Sequence, residues 1–246
     1  MESNKIFGLR PVMEAINAGR PFEKIMIREG ASSDMLYQIV DFAKKNNVTL
    51  NRVPQDRLDR LSKGKNHQGV VAFLSSAEYA DLETVMETLS QSEKTPFIIL
   101  LDKVTDVRNF GAIARTAECA GIDAIIVPSK NAAPLNVDAM KTSAGALNYI
   151  PVCKVPNLKS AIYTLKNYDI KIIAATEKSD KNYYDADLSG GIAIIMGSEE
   201  AGISRSNLEL ADEMVKIPLQ GQIESLNVSA AAAVIAFECV RQRLKN

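Results

Sequence analysis

The chain of 246 residues has no tryptophan, one histidine and three cysteines. With His67 alone, a multi-histidine zinc or iron site is excluded, and a Ser-His-Asp or Cys-His nucleophile would have to use that residue. Cys119, Cys153 and Cys239 are far apart and odd in number; they make no metal pattern and fit unpaired thiols in a reducing cytoplasm. No apolar run approaches the ~20 residues that cross a bilayer. The opening MESNKIFGLRPV has neither an apolar h-region nor a cleavage site, so a cytoplasmic protein free of the membrane is expected. No G-x-G-x-x-G follows an apolar run and no G-x-x-x-x-G-K-[ST] occurs, which leaves a Rossmann dinucleotide site and a P-loop unsupported. Nor does one sign of charge dominate: 29 Lys+Arg stand against 30 Asp+Glu, and bulk charge selects no polyanion.

What is present is ordinary for a globular protein, 46% hydrophobic and 24% charged, at a length that suits one large or two unequal domains. Charge is uneven. Residues 1–75 hold 12 basic and 8 acidic side chains, the remainder 17 and 22. Arg52, Arg57, Arg60, Lys63 and Lys65 concentrate the excess. They are either a nucleic-acid patch or a solvated helix face.

Residues 1–75 read as a compact α/β unit with helices over 10–18, 34–45 and 55–62 and strands over 24–28, 48–53 and 69–74. The polar, acidic stretch 76–95, with a helix from about Asp81, reads as a connector. Residues 96–246 alternate strand and helix. Their apolar runs, FIILLD (97–102), AIIVP (124–128), IPVCKV (150–155), KIIAAT (171–176), IAIIMG (192–197) and MVKIP (214–218), suit a parallel sheet covered on both faces. Ligands of such sheets bind beyond the strand carboxyl ends.

Three loops there stand out. After FIILLD comes DKVTDVRNFGAIARTA: Asn109 is placed as an N-cap, Gly111 permits close backbone approach to a ligand, and Arg115 with the helix N-terminus suits an anion. Asn109 as a simple cap and Arg115 as an ordinary ion-pair partner remain open. After IAIIM comes GSEEAGIS, where Gly197 and Glu199 are candidates and Ser206 with Glu209 fits a capping box. The third, IPLQGQIESLNVSA, places Ser225 and Asn227 at the start of a helix with four alanines at 230–233; both could be plain caps.

Taken together, the segments 102-DKVTDVRNFGAIARTAECAG-121, 195-IMGSEEAGIS-204 and 217-IPLQGQIESLNVSAAAAVIAFE-238 resemble the SpoU (TrmH-type) RNA ribose 2′-O-methyltransferases of the SPOUT superfamily. Residues 1–75, with 66-NHQG-69 before a strand, resemble the L30e-like substrate-binding domain of the subgroup that methylates a guanosine in large-subunit (23S) ribosomal RNA. The resemblance implies an α/β fold: a small L30e-like domain (1–75), a linker (76–95) and a SPOUT domain (96–246) with a parallel sheet and a C-terminal trefoil knot. It implies S-adenosylmethionine held by Thr176, Met196, Gly197, Ile217, Leu219, Leu226, Asn227 and Ser229, and no metal. Catalytic side chains map to Asn109, Arg115, Glu199, Ser225 and Asn227, RNA contacts to Arg52, Arg57, Arg60, Lys63, Lys65 and His67. A homodimer through the knot region is implied as well.

In the mechanism expected from that resemblance, charged Arg115 orients a phosphate and the 2′-hydroxyl, since arginine stays protonated. Glu199 or a water takes the proton, Asn227 and Ser225 hold the methionine end and the ribose, and Asn109 orders the loop. Competing readings are a transfer RNA 2′-O-methyltransferase, a non-catalytic RNA-binding ribosome assembly factor, and a phosphate-binding metabolic enzyme.

Overall fold

The computed structural model describes residues 5–46, 48–75, 78–223 and 225–244. The chain divides into two compact units, Met1–Glu78 with Pro134–Val137, and Tyr79–Ala133 with Asp138–Asn246.

The first unit runs β1 (Lys5–Phe7), α1 (Leu9–Asn17), β2 (Phe22–Arg28), α2 (Asp34–Lys45), β3 (Thr49–Val53), α3 (Gln55–Ser62) and β4 (Val70–Leu74). Its sheet has the order β1-β4-β2-β3, with β2 and β3 parallel and β4 antiparallel to both its neighbours. Side-chain alternation divides the core between the two sheet faces. Ile25, Ile27, Val70 and Ala72 pack with Val12 of α1 and with Leu36 and Ile39 of α2. Met26 and Val71 point the other way and meet Leu58 of α3. Ser33 caps α2 by accepting from the Leu36 N–H at 3.2 Å, and Lys44 and Lys45 close its last turn. Strand β1, too short for a periodic signal, was not foreseen.

The second unit holds α4 (Leu82–Ser90), β5 (Phe97–Asp102), α5 (Val107–Cys119), β6 (Ala124–Pro128), α6 (Val137–Thr142), β7 (Val152–Val155), α7 (Leu158–Asn167), β8 (Lys171–Ala175), β9 (Ile192–Gly197), α8 (Arg205–Leu208), β10 (Glu213–Val215) and α9 (Val228–Arg243). Its six strands are all parallel in the order β10-β8-β9-β5-β6-β7. Ile98, Leu100, Ile126, Ile172 and Ile195 line one face beneath α4 and α7. The alternate residues Ile99, Leu101, Ile125 and Ile194 are buried on the other. Burial on both faces is why these strands read as unbroken apolar runs.

The expected connector needs correction. Asp81 does cap a helix, accepting from the Thr84 N–H at 2.9 Å. That helix buries Leu82 and Met86 in the second core, at roughly 1.5–3 kcal/mol each. The Ala80 N–H also donates to Val152 O at 2.9 Å, so the second unit begins at Tyr79 rather than at 96. Residues 76 and 77 lie outside the described residues.

The C-terminal end of α9 is fastened tightly. Arg243 donates to Thr95 O (3.1 Å), Pro96 O (2.9 Å) and Gly190 O (2.7 Å) and lies 4.7 Å over the Phe97 ring. Burial lowers its pKa from the usual arginine range. Buried Glu238 takes a forked pair from Arg241 at 2.7 and 2.6 Å. These anchors fix the axis whose other end reaches the site.

Candidate active site

A cavity of about 370 Å³ opens beyond the carboxyl ends of β8, β9 and β10, within the size range of small-molecule sites. Six of the eight expected cofactor residues line it: Thr176, Met196, Gly197, Ile217, Leu219 and Leu226. Val228, Ala231 and Ile235 of α9 close one side; the small alanine lets the helix come near. Gly197 is needed for sterics. A Cβ there would sit 2.2 Å from the Gly202 carbonyl carbon and 2.4 Å from the Ile203 nitrogen. The loop 198–203 therefore folds directly back on the strand end.

Asn227 and Ser229 are not in the cavity wall. Asn227 Oδ1 caps α9, accepting from the N–H of Ser229 (3.0 Å) and Ala230 (3.4 Å), and the Ser229 hydroxyl donates to the same oxygen at 2.5 Å. The Asn227 amide turns outward instead. Its Nδ2 donates to Asn109 Oδ1 at 2.9 Å and to Glu199 Oε1. Glu199 Oε1 also accepts from Asn109 Nδ2 at 3.1 Å and from the Val228 N–H at 3.2 Å. Three segments distant in sequence, the first turn of α5, the loop after β9 and the start of α9, thus meet in one hydrogen-bonded cluster, with Glu199 itself in the cavity wall. Ser225, another wall residue, has no hydrogen bond to this cluster among the described residues.

Several expectations are corrected. Helix α5 begins at Val107, not at Asn109: Asp106 is the cap and accepts from the N–H of Arg108 and Asn109, each at 2.9 Å. That frees the Asn109 side chain for the cluster. It also places Arg115 more than two turns into α5, so Arg115 and the helix N-terminus do not form one anion site. At ~100° per residue, Arg115 is turned about 120° from Asn109 around the axis. It is exposed and pairs neither with Glu199 nor with any other described residue. Gly111 serves packing rather than a ligand, because a Cβ would lie 2.1 Å from Thr142 Oγ1. Ser206 and Glu209 form no capping box; Ser204 precedes α8, and Glu209 takes Arg205 Nε at 2.8 Å.

In the first unit, Arg52, Arg57, Arg60, Lys63 and Lys65 are all exposed, and none is ion-paired to a described residue. Arg60 Nε donates to the Asp56 carbonyl at 3.3 Å. His67 is different. It is 7% exposed, takes the Gly69 N–H on Nδ1 at 3.0 Å and meets Asp59 Oδ1 through Nε2 at 2.9 Å. It is buried and locks the turn before β4, unlike the five exposed cations. Among the described residues, no group of three or more His, Cys, Asp or Glu is gathered for a metal, and no helix is long and apolar enough to cross a membrane.

Sequence reasoning missed Asp102 and Asn207, which brace the cavity loop from behind: Asp102 Oδ2 accepts from the Ser204 N–H at 2.7 Å and from Asn207 Nδ2 at 2.9 Å. An acidic residue ending a buried strand was the available signal.

The chain is similar to known proteins over nearly its whole length. Residues 96–237 match the SpoU rRNA methylase family, and residues 5–80 match RNA 2′-O ribose methyltransferase substrate binding. A TrmH family tRNA/rRNA methyltransferase of Staphylococcus aureus is 34% identical over 243 residues, 99% of this chain and 98% of that protein. The SpoU methyltransferase AviRb of Streptomyces viridochromogenes, solved in complex with AdoMet, superposes with a TM-score of 0.63 at 24% identity, covering 98% of this chain and 91% of that one. A further solved RNA 2′-O ribose methyltransferase gives a TM-score of 0.58 at 26% identity, over 98% and 88% of the two chains. On these matches the chain belongs to the SpoU rRNA methylase family and is an RNA 2′-O-methyltransferase.

Proposed function

We propose that the protein transfers a methyl group from S-adenosylmethionine to the ribose 2′-hydroxyl of a guanosine in 23S ribosomal RNA. The observation that carries this reading is the Asn109–Glu199–Asn227 cluster at the wall of the cavity. The wall fits the cofactor in kind: Ile217, Leu219 and Leu226 offer apolar contact to a base, Thr176 and Ser225 offer hydroxyls, and Gly197 lets backbone come close. When bound, S-adenosylmethionine supplies a methyl group activated by a sulfonium leaving group.

The chain's own part is to position the reactants and remove one proton. Aligning two reactants contributes roughly 7–11 kcal/mol. Glu199 commits Oε1 to three N–H donors, while Oε2 has no partner among the described residues. We assign Oε2, or a water it holds, to take the 2′-hydroxyl proton. Asn109 and Asn227 hold that carboxylate in place, and Ser225 contacts cofactor or ribose.

Arg115 cannot join this cluster along its own helix, so we assign it to the site of a second copy. There it would orient a phosphate and the 2′-hydroxyl through its forked donors. The exposed apolar residues Val234 and Phe237 of α9 support a homodimer that covers this helix. A C-terminal trefoil knot is consistent with a chain that leaves the edge strand β10 and then crosses to α9, which packs on α5. Three unpaired cysteines suit the cytoplasm.

An RNA substrate is supported by the exposed cluster of Arg and Lys in the first unit; the ribosomal choice follows the resemblance of residues 1–75 to the subgroup that acts on large-subunit RNA. The test is methyl-labelled S-adenosylmethionine with unmodified 23S ribosomal RNA or transfer RNA, and Asn109→Ala in parallel. A labelled 2′-O-methylguanosine in ribosomal RNA, lost in the variant, is expected. Label in transfer RNA alone would replace the ribosomal reading. Cofactor binding absent altogether would favour a non-catalytic assembly factor.

A further inference from the structure

Strand β5 ends in a buried carboxylate. Asp102 is 4% exposed, and its Oδ2 accepts from the Ser204 N–H at 2.7 Å and from Asn207 Nδ2 at 2.9 Å. Asn207 is 6% exposed. In register, Asp102 lies beside Gly197, the last residue of β9. Its carboxylate therefore reaches past the neighbouring strand end to the loop that follows it. That loop is a small hairpin: the Gly202 N–H donates to Ser198 O at 2.9 Å, and the Ala201 N–H to Ser198 Oγ at 3.1 Å. Its returning limb, Gly202 and Ile203, lines the cavity and lies against Gly197, where no Cβ would fit. Two devices thus hold the limb, Asp102 from behind and the bare Gly197 beneath. Glu199, on the outgoing limb, is anchored separately by Asn109, Asn227 and the Val228 N–H.

We infer that Asp102 and Asn207 form a positioning clamp that preorganises the cofactor wall by pinning the 202–204 limb onto the end of β9. The inference rests on the cofactor reading above. Asp102 is not in the cavity wall and touches no reacting atom; it acts through the loop. A wall already ordered need not be ordered again at each binding event, so the clamp acts mainly on cofactor affinity. Leaving either buried partner unpaired carries a desolvation cost and frees the limb.

Asn207→Asp tests this directly, since it sets two carboxylates face to face in a buried site. The exchange Asp102→Asn with Asn207→Asp removes the like charges but restores only one of the two bonds, because Asp102 Oδ2 alone accepts from both Ser204 and Asn207 and an amide at 102 cannot accept and donate through one atom. Cofactor Kd by calorimetry, Tm without ligand, and the split between cofactor KM and kcat are measured on the full chain. Asn207→Asp is expected to weaken Kd and raise KM about tenfold, more than it lowers kcat, with the exchange recovering part of that loss as the like charges are removed. Should Asn207→Asp fail to fold, Asn207→Ala carries the same test. A folded variant with parental Kd, an exchange no better than the single change, or a loss confined to kcat would each overturn the clamp. If the parent itself binds no S-adenosylmethionine, the cofactor reading fails and the clamp's role falls with it.

Discussion

Asn227 donates from Nδ2 to Asn109 Oδ1 at 2.9 Å, joining residues 118 apart in sequence, while its own Oδ1 caps α9. One side chain serves both a helix and a site. Asn227→Ala should therefore lose about 1 kcal/mol of stability through the cap. It should also slow methyl transfer roughly 100-fold through misplacement of Glu199. Asn227→Ser keeps a capping oxygen but is too short to bridge. Thermal denaturation should show it near the parent, with transfer still slow. A fully active Ser variant would reduce Asn227 to a cap.

Glu199→Gln separates charge from shape. The amide oxygen can still accept from Asn109, Asn227 and the Val228 N–H, so fold and cofactor affinity should hold. If Glu199 takes the proton, transfer should fall by about 10²–10⁴-fold. Near-parental turnover in a single-turnover assay would leave Glu199 as a brace and move the proton to water.

The strands were legible because a parallel sheet covered on both faces needs unbroken apolar runs; FIILLD and IAIIMG fall at 97–102 and 192–197, as β5 and β9. The three loops were legible for a related reason, since each leaves a strand or enters a helix at the same end of the sheet. Arg115 was not. Its distance from the helix N-terminus depends on where α5 starts, and both Asp106 and Asn109 are acceptable caps by residue type. Only the Asp106 carboxylate, reaching two N–H groups, settles the start. The burial of His67 was equally hidden: a histidine in a polar loop reads as exposed, and its burial follows from the turn around Gly69 closing on it. The segment 76–95 is polar enough to read as a linker, yet Leu82 and Met86 suffice to bind its helix to a core.

Gly197→Ala should be disruptive well beyond a surface change. The added methyl meets backbone at 2.2 Å, so the hairpin must move out of the cavity wall. A loss of roughly 1–3 kcal/mol and much weaker cofactor binding are expected. Gly190→Ala is the matched control, because nothing lies within 4 Å of its added Cβ. Equal Tm and cofactor Kd in the two variants would contradict the close approach.

The thiols should differ sharply in reactivity. Burial pushes Cys153 and Cys239 up to about 12, while Cys119 is exposed. At pH 8 an aromatic disulfide reagent should label one thiol per native chain and three after unfolding. A thiol pKa raised by folding stabilises fully below its ordinary value of 9.0, and that share is lost as pH rises towards 12. Cys153→Ala should therefore flatten the alkaline limb of the stability curve. An unchanged slope in urea titrations between these values would refute the assignment.

RNA contact and turn locking should separate in the first unit. Arg57→Ala with Arg60→Ala removes two exposed charges and leaves the core intact. Tm should hold, RNA affinity should weaken, and the salt dependence of binding should flatten by roughly 0.7–0.9 per lost phosphate contact. His67→Ala instead strips the acceptor from the Gly69 N–H and the partner from Asp59. It should cost roughly 1–3 kcal/mol of stability, while RNA bound well below the variant's Tm shows the parental salt slope. A flattened slope in the histidine variant would return His67 to the RNA surface. An unchanged slope in the double arginine variant would remove α3 from it, since exposed cations that meet no phosphate release no counterions on binding.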